Sequence, residues 1–188
     1  MKGVLFVELL NMAEADLGES RVDLILNQLN LSSGGAYNTV ERFSPEEIET
    51  LVRNIANAMG ETRAQLSSRF GRWMFAYFAR IHPDFVERHA TTFSLLSALE
   101  DEVHSEIRKL DDHANIPHME AERQSAYEFI FIYRSTRKLV DFCQGAIEAC
   151  LDHYGEGAQV SRNVVETPTE SIVVFHIHLS KENMIVSI

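Results

Sequence analysis

The sequence predicts an α+β fold, with a mainly helical N-terminal part packed on a C-terminal antiparallel sheet with helices. Three observations lead there. Up to residue 110, apolar side chains recur at helical spacing behind recognisable start signals. From Tyr127 to Arg137 the period drops to two, placing Tyr127, Phe129, Phe131, Tyr133, Ser135 and Arg137 on one side. Over 171–180 it is two again, with Val173, Phe175, Ile177 and Leu179 on one face and His176 and His178 on the other.

Residues 3–17 read as a helix that is apolar nearly all round in its first two turns, hence buried on several sides. A second helix, 20–30, opens at Ser20 and is followed by the loop Ser32-Ser33-Gly34-Gly35. Ser44-Pro45-Glu46-Glu47 is a firm start, with Ser as cap, Pro at the first helical position and Glu at the third. That helix ends at Gly60, and Thr62 with Gln65 forms a capping box for an aromatic-rich helix that stops before Pro83. A short helix over 84–90 precedes a long one over 92–110, striped by Phe93, Leu96, Leu99, Val103, Ile107 and Leu110, with His104 at the stripe's edge near Phe93 and Glu100. Asp111 to Pro117 is a polar connection. A strand over 126–135 runs into a helix over 137–154, Gly155-Glu156-Gly157 breaks it, and strands follow over 158–167 and 171–180.

The chain has 188 residues, enough for one domain that buries about 70 % of its unfolded surface. Its 17 basic and 28 acidic residues give a net charge of −11, which repels phosphate backbones and argues against nucleic acid as a partner. Cys143 and Cys150 lie seven apart on one helix, about 10.5 Å of rise, too far for a disulfide. Two unbridged thiols point to a reducing compartment. The opening apolar run is interrupted by Glu8 and Asn11, with no small-residue cleavage site, and no run approaches the ~20 apolar residues of a membrane span. The expectation is a soluble, cytoplasmic protein without membrane insertion.

The row Tyr133, Ser135, Arg137 sets two hydroxyls and a guanidinium along roughly 13 Å of strand, which suits a carboxylate or phosphate. Equally, it fits an edge strand with a polar tail. His104 alone fits a partly buried structural residue. His176 and His178 have no Cys or carboxylate at a helpful spacing and read as solvent-facing, and the cysteines read as core thiols. There is no Gly-rich phosphate loop, no HExxH and no nucleophile elbow. Nothing points to hydrolysis or group transfer, so the chain reads as a non-enzyme. A helix His together with a row of Tyr, Ser and Arg donors, however, is what a heme requires: an axial imidazole and partners for two propionates.

The opening Met1-Lys2-Gly3, Gly71, Asp101-Glu102-Val103-His104, Pro117 thirteen residues after the His, and Tyr133-x-Ser135-x-Arg137 resemble the heme-nitric oxide/oxygen binding (H-NOX) domains, relatives of the heme domain of soluble guanylate cyclase. The resemblance spans essentially the whole chain. It implies a single domain, with a distal part of about 1–62 and a proximal part of about 63–188, and heme b (iron protoporphyrin IX) held between them. It makes His104 the iron ligand and Tyr133, Ser135 and Arg137 the propionate clamp. Pro117 would press on the heme, and Leu5, Met74, Phe78, Phe142 and Ala146 would line the pocket.

Oxygen-binding members carry a distal Tyr five residues after the clamp Arg; here that position is Phe142, and the supporting positions are Leu9 and Met74. The resemblance therefore implies a ferrous five-coordinate heme that takes nitric oxide (NO) and CO but not O₂, with NO breaking the bond to His104. With no kinase or cyclase domain in the sequence, the output is expected to pass to a separate histidine kinase or cyclic-di-GMP enzyme. The rival class is a heme-free interaction module on the same scaffold; a heme peroxidase lacks a distal acid–base candidate. The family's Cys-rich zinc site is not expected, since only two cysteines are available.

Overall fold

The computed structural model describes residues 1–104, 116–137, 139–167 and 169–180. The N-terminal half is helical: α1 (Val4–Leu17), α2 (Glu19–Asn27), α3 (Pro45–Met59), α4 (Arg63–Ile81), α5 (Pro83–Glu87) and α6 (Thr92–Ala98). A π-helical segment, Leu99–His104, continues α6. Then come β1 (His118–Arg123), β2 (Glu128–Ser135), α7 (Val140–His153), β3 (Ala158–Glu166) and β4 (Ser171–Leu179). The strands form one antiparallel sheet in the order β1-β2-β4-β3. The α+β architecture is the expected one.

The start signals act largely as read. The Thr62 hydroxyl accepts from the Gln65 amide at 3.2 Å while the Gln65 side chain accepts from the Thr62 amide at 2.9 Å, the full capping box. Ser44 caps α3, but by accepting from Glu46. Glu47, the expected third-position cap partner, is instead buried against the preceding loop. Its oxygens accept from Ser32 Oγ at 2.5 Å, Ser33 N at 2.9 Å, Ser33 Oγ at 2.7 Å and Tyr37 Oη at 2.8 Å. The second helix opens at Gly18, one residue before Glu19, rather than at Ser20.

Glu47 makes the first prediction. Burial pushes its carboxyl up, yet the donors from Ser32, Ser33 and Tyr37 outweigh this and hold it at about 2, against an ordinary 4.5. A depressed carboxylate stabilises the fold above its unfolded value, and that stability drains away as pH falls from about 4.5 towards 2. Glu47→Gln should cost about 2 kcal/mol at neutral pH, and the difference from wild type in urea unfolding should shrink across that acid window.

Two departures concern the middle of the chain. The long helix expected over 92–110 is α-helical only to Ala98 and then π-helical to His104; its continuation through Ile107 and Leu110, and the connection from Asp111, lie outside the described residues. The strand β1 follows Pro117 and pairs with β2 from His118↔Arg134 to Arg123↔Phe129. β2 therefore lies between β1 and β4, so the edge-strand reading of Tyr127–Arg137 is wrong.

Two apolar cores result. One gathers Phe6, Leu9, Val22, Leu51, Ile55 and Leu66 from the first four helices. The other gathers Phe129, Phe131, Tyr133, Ile147, Phe175 and Ile177 from the sheet and α7, with Leu95 and Leu96 of α6. Helix α4 serves both, through Leu66 and Phe70 on one side and Phe75 and Phe78 on the other. Cys143 and Cys150 are buried, free core thiols. Burial pushes both thiols up, so neither is a ready nucleophile at neutral pH.

Candidate functional site

The donor row is assembled because the alternation of β2 holds to its end. Tyr133 and Ser135 stand on the buried face, 3 % and 6 % exposed. The Ser135 Oγ accepts the backbone N–H of Arg137 at 3.1 Å, which ties the residue beyond the strand to the same corner. Burial pushes the Tyr133 phenol up to about 12, so it keeps its proton and remains a donor.

Arg137 is the member with an unmet demand. Its Nε is buried without a hydrogen-bond partner among the described residues. Burial pulls its guanidinium below the ordinary value, and the positive field of Arg42 adds to this. The Met1 ammonium, which donates to the Phe43 carbonyl at 2.6 Å, is likewise lowered, by burial first and then by Arg137 and Arg42, with Glu46 offsetting only part. Three positive groups converge on one corner, an arrangement that favours an anion.

Arg137 also lines a cavity of about 540 Å³ with Met1, Ile48, Phe70, Leu139 and Phe142. The cavity lies on the seam between the cores, since Phe70 and Ile48 belong to the N-terminal one and Leu139 touches both. Of the expected site residues, Arg137 and Phe142 line it; His104, Pro117, Tyr133 and Ser135 do not. Leu5, Met74 and Phe142 pack together on the N-terminal core, and Phe78 packs on the other. The rings of Phe70 and Phe142 are tilted, 5.3 Å between centroids.

The wall behind Phe142 is a close crossing of α4 on α7. A Cβ placed on Gly71 would fall 2.0 Å from Phe142 O and 2.9 Å from Ala146 N, and one on Gly145 would fall 1.9 Å from Ser68 O. Ala146 therefore meets α4 through its backbone. Arg72 bridges the same two helices, 2.8 Å from Glu148 and 2.7 Å from Asp152.

His104 closes the π-helical segment, its side chain 13 % exposed and its Nδ1 3.4 Å from Glu100 Oε2. Pro117 stands immediately before β1.

These residues fit a heme. No three His, Cys, Asp or Glu come together to hold a metal ion among the described residues, but porphyrin iron needs only an axial side chain, and His104 is of the right kind. The half-buried guanidinium, its Nε buried and unpartnered among the described residues, beside two buried hydroxyls suits a propionate. A cavity of this size, its apolar lining interrupted by Glu49, Thr62, Arg63, Ser67, Arg137 and Asp141, is in the range of cofactor pockets. Arg137→Met should thus act with opposite signs, slightly stabilising the heme-free fold by removing a half-buried charge with that unpartnered Nε while weakening heme binding about tenfold or more through a lost charge-assisted bond. Thermal melts of the heme-free protein and heme titrations of both proteins check the two halves.

The comparisons decide the family. A model of the family described as Haem-NO-binding matches residues 2–162. The chain belongs to that family. H-NOX domains are heme-based gas-binding sensor modules, not enzymes on their own. Among solved structures, the Fe(II) unliganded H-NOX protein from K. algicida is 24 % identical, with 97 % of this chain and 98 % of that one covered and a TM-score of 0.85. A single-residue mutant of the T. Tengcongensis H-NOX is 19 % identical over 96 % and 98 %, with a TM-score of 0.86. An oxygen-binding H-NOX domain related to soluble guanylate cyclases, solved as its oxygen complex, is 19 % identical over 96 % and 95 %, with a TM-score of 0.82. The search of curated proteins found no match. At these identities the solved structures establish the H-NOX fold.

Sequence reasoning missed the Met1 ammonium and Arg42 as neighbours of Arg137. Nothing local signals them, because residues 1–3 reach Arg42 and Phe43 through a backbone bridge between Lys2 and Arg42. It also missed Glu8, buried on α1, which accepts from Trp73 Nε1 at 2.8 Å and Asn11 Nδ2 at 3.1 Å. The signal there was one carboxylate in an otherwise apolar turn.

Proposed function

We propose that this H-NOX protein senses NO. It holds heme b in one domain, between a distal part of about 1–62 and a proximal part of about 63–188. It binds NO and CO but not O₂, and passes its state to a separate histidine kinase or cyclic-di-GMP enzyme in the cytoplasm. His104 is the axial ligand, Tyr133, Ser135 and Arg137 hold the propionates, and Pro117 presses on the porphyrin. Leu5, Met74, Phe78, Phe142 and Ala146 form the pocket wall. Heme, when bound, supplies the ferrous iron at which the gas binds. No helix among the described residues is long and apolar enough to cross a membrane.

The observation that carries the gas preference is the lack of a donor on Phe142 and on its apolar neighbours of the N-terminal core; the side-chain donors that line the cavity with Phe142 are Thr62, Arg63, Ser67 and Arg137. Dioxygen draws electron density from a ferrous centre and needs a hydrogen-bond donor to be held; NO and CO do not. Phe142, Leu5, Leu9 and Met74 share the N-terminal core and offer none. The two aromatic donors of that core are committed elsewhere, Tyr37 to Glu47 and Trp73 to Glu8, each at 2.8 Å. Phe142, Leu5, Leu9 and Met74 would therefore give O₂ no hydrogen bond.

The transmitting element is the π-helical segment Leu99–His104. π-Helical turns are rare and gather at functional sites, because their wider turn is tolerated only where the surroundings hold it. Glu100 ties this segment to β1, accepting from Met119 N at 3.1 Å. A change in the position of His104 is thereby coupled to the sheet, a two-state element that a ligand can bias. Air admitted to the anaerobically reduced protein tests the gas preference. A spectrum that never shows a stable oxygen complex is expected, and a lasting one would refute the preference.

A further inference from the structure

Glu100 stands one helical step from His104 and does more than solvate the helix. Only 19 % of its side chain is exposed. Its Oε2 lies 3.4 Å from His104 Nδ1 and accepts the Met119 amide at 3.1 Å, while its Oε1 lies 3.4 Å from His118 Nδ1. The carboxylate is thus gripped by β1 on one side and presented to the imidazole of His104 on the other. The same corner borders a second cavity, of about 450 Å³, lined by Glu100, Asp101, His118, Met119, Ile132 and Arg134 among others.

A histidine that binds a metal through one ring nitrogen commonly gives its other N–H to a carboxylate. That contact selects the tautomer, orients the ring and raises its basicity. The distances here set a carboxylate oxygen 3.4 Å from Nδ1, beyond an ordinary hydrogen bond but within a small ring movement of one. We propose that Glu100 is the positioning residue for the axial ligand: it takes the Nδ1–H of His104, leaves Nε2 as the ring atom for iron, and makes the imidazole a stronger donor. β1 sets this by anchoring Glu100 through Met119. The inference rests on the reading of His104 as the iron ligand and adds to it a control on the strength of that bond, and so on how readily NO displaces it.

The experiment compares heme-loaded wild type, Glu100→Gln and Glu100→Leu in the ferrous state. Resonance Raman reads the iron–histidine stretch, and a redox titration reads the ferric/ferrous potential. The stretch should fall in the order wild type, Gln, Leu, and the potential should rise in the same order. Heme affinity should drop about tenfold in Glu100→Leu. A cavity control separates positioning from mere packing. In His104→Gly supplied with imidazole, adding Glu100→Leu should shift the iron–imidazole stretch; with 1-methylimidazole, which has no N–H to give, it should not. An unchanged stretch and potential in all three proteins overturns the role of Glu100 while leaving His104 as ligand. A wild-type protein with no histidine-ligated iron overturns both.

Discussion

Replacing His104 with alanine yields a folded protein that no longer holds ferrous heme through an axial side chain, and its Soret band, expected at about 400–430 nm in wild type, is lost or strongly shifted. The fold should survive. The His104 side chain, 13 % exposed, approaches the Glu100 carboxylate at 3.4 Å, too far for a strong hydrogen bond. The stability cost should therefore stay near 1 kcal/mol or below. Heme binding should fall far more, because the axial bond has no substitute: His118 is already turned to the far oxygen of Glu100 and its side chain is 66 % exposed. Absorption after heme reconstitution, alongside far-UV circular dichroism, separates loss of ligand from loss of fold. A full Soret band in His104→Ala would show that the iron, if present, is held elsewhere.

Gly145→Ala should be among the most damaging single-methyl changes in the molecule. In an exposed helix the exchange would stabilise by up to about 1 kcal/mol. Here the new Cβ would lie 1.9 Å from Ser68 O and 2.7 Å from Ser68 C, both backbone atoms of α4. Backbone cannot rotate away, so the helices must part by roughly an ångström or more to restore ordinary contact. Overpacking of this kind costs about 1–3 kcal/mol and sometimes more, and the shared role of α4 in both cores places this case at the upper end. The damage should reach the candidate site too, because parting α4 from α7 moves Phe70 from Phe142. Urea unfolding should show a lower midpoint at unchanged slope. A midpoint equal to or above that of wild type would contradict the packing described.

The parts of the fold that were legible from the residues were those with strong local physics. Thr62 and Gln65 announce α4 because a capping box satisfies amides within one turn. β2 and β4 announce themselves because buried residues alternate with less buried ones along them. β1 gave no such sign. His118-Met119-Glu120-Ala121-Glu122-Arg123 is charged and mostly exposed at a sheet edge, and only Met119 and Ala121 lean on the core. Its strand character is imposed by its pairing with β2. The π-helical turn before His104 was equally invisible, since it does not follow from residue periodicity. Glu47 was recognised as a helix-start residue but not as the carboxylate that pins the preceding loop, because Ser32, Ser33 and Tyr37 reach it only in the folded chain.

The candidate site divides in the same way. Tyr133, Ser135 and Arg137 were legible as a row because one strand face carries the first two and the chain's next step carries the third. Arg137 is half-buried, with an Nε unpartnered among the described residues, and shares its corner with the positive charges of Met1 and Arg42 from the other end of the chain, and no local pattern contains that. Phe142 was placed by its distance from Arg137 in the sequence, and the structure sets both on one cavity.

The most direct test is an anaerobic titration of the reduced, heme-reconstituted protein with NO, followed by absorption spectroscopy. The account predicts a ferrous starting spectrum with one axial histidine, and its saturable, one-to-one conversion to an NO complex whose iron no longer carries that histidine. A protein that takes up no heme, or whose ferrous spectrum is untouched by NO, would contradict it.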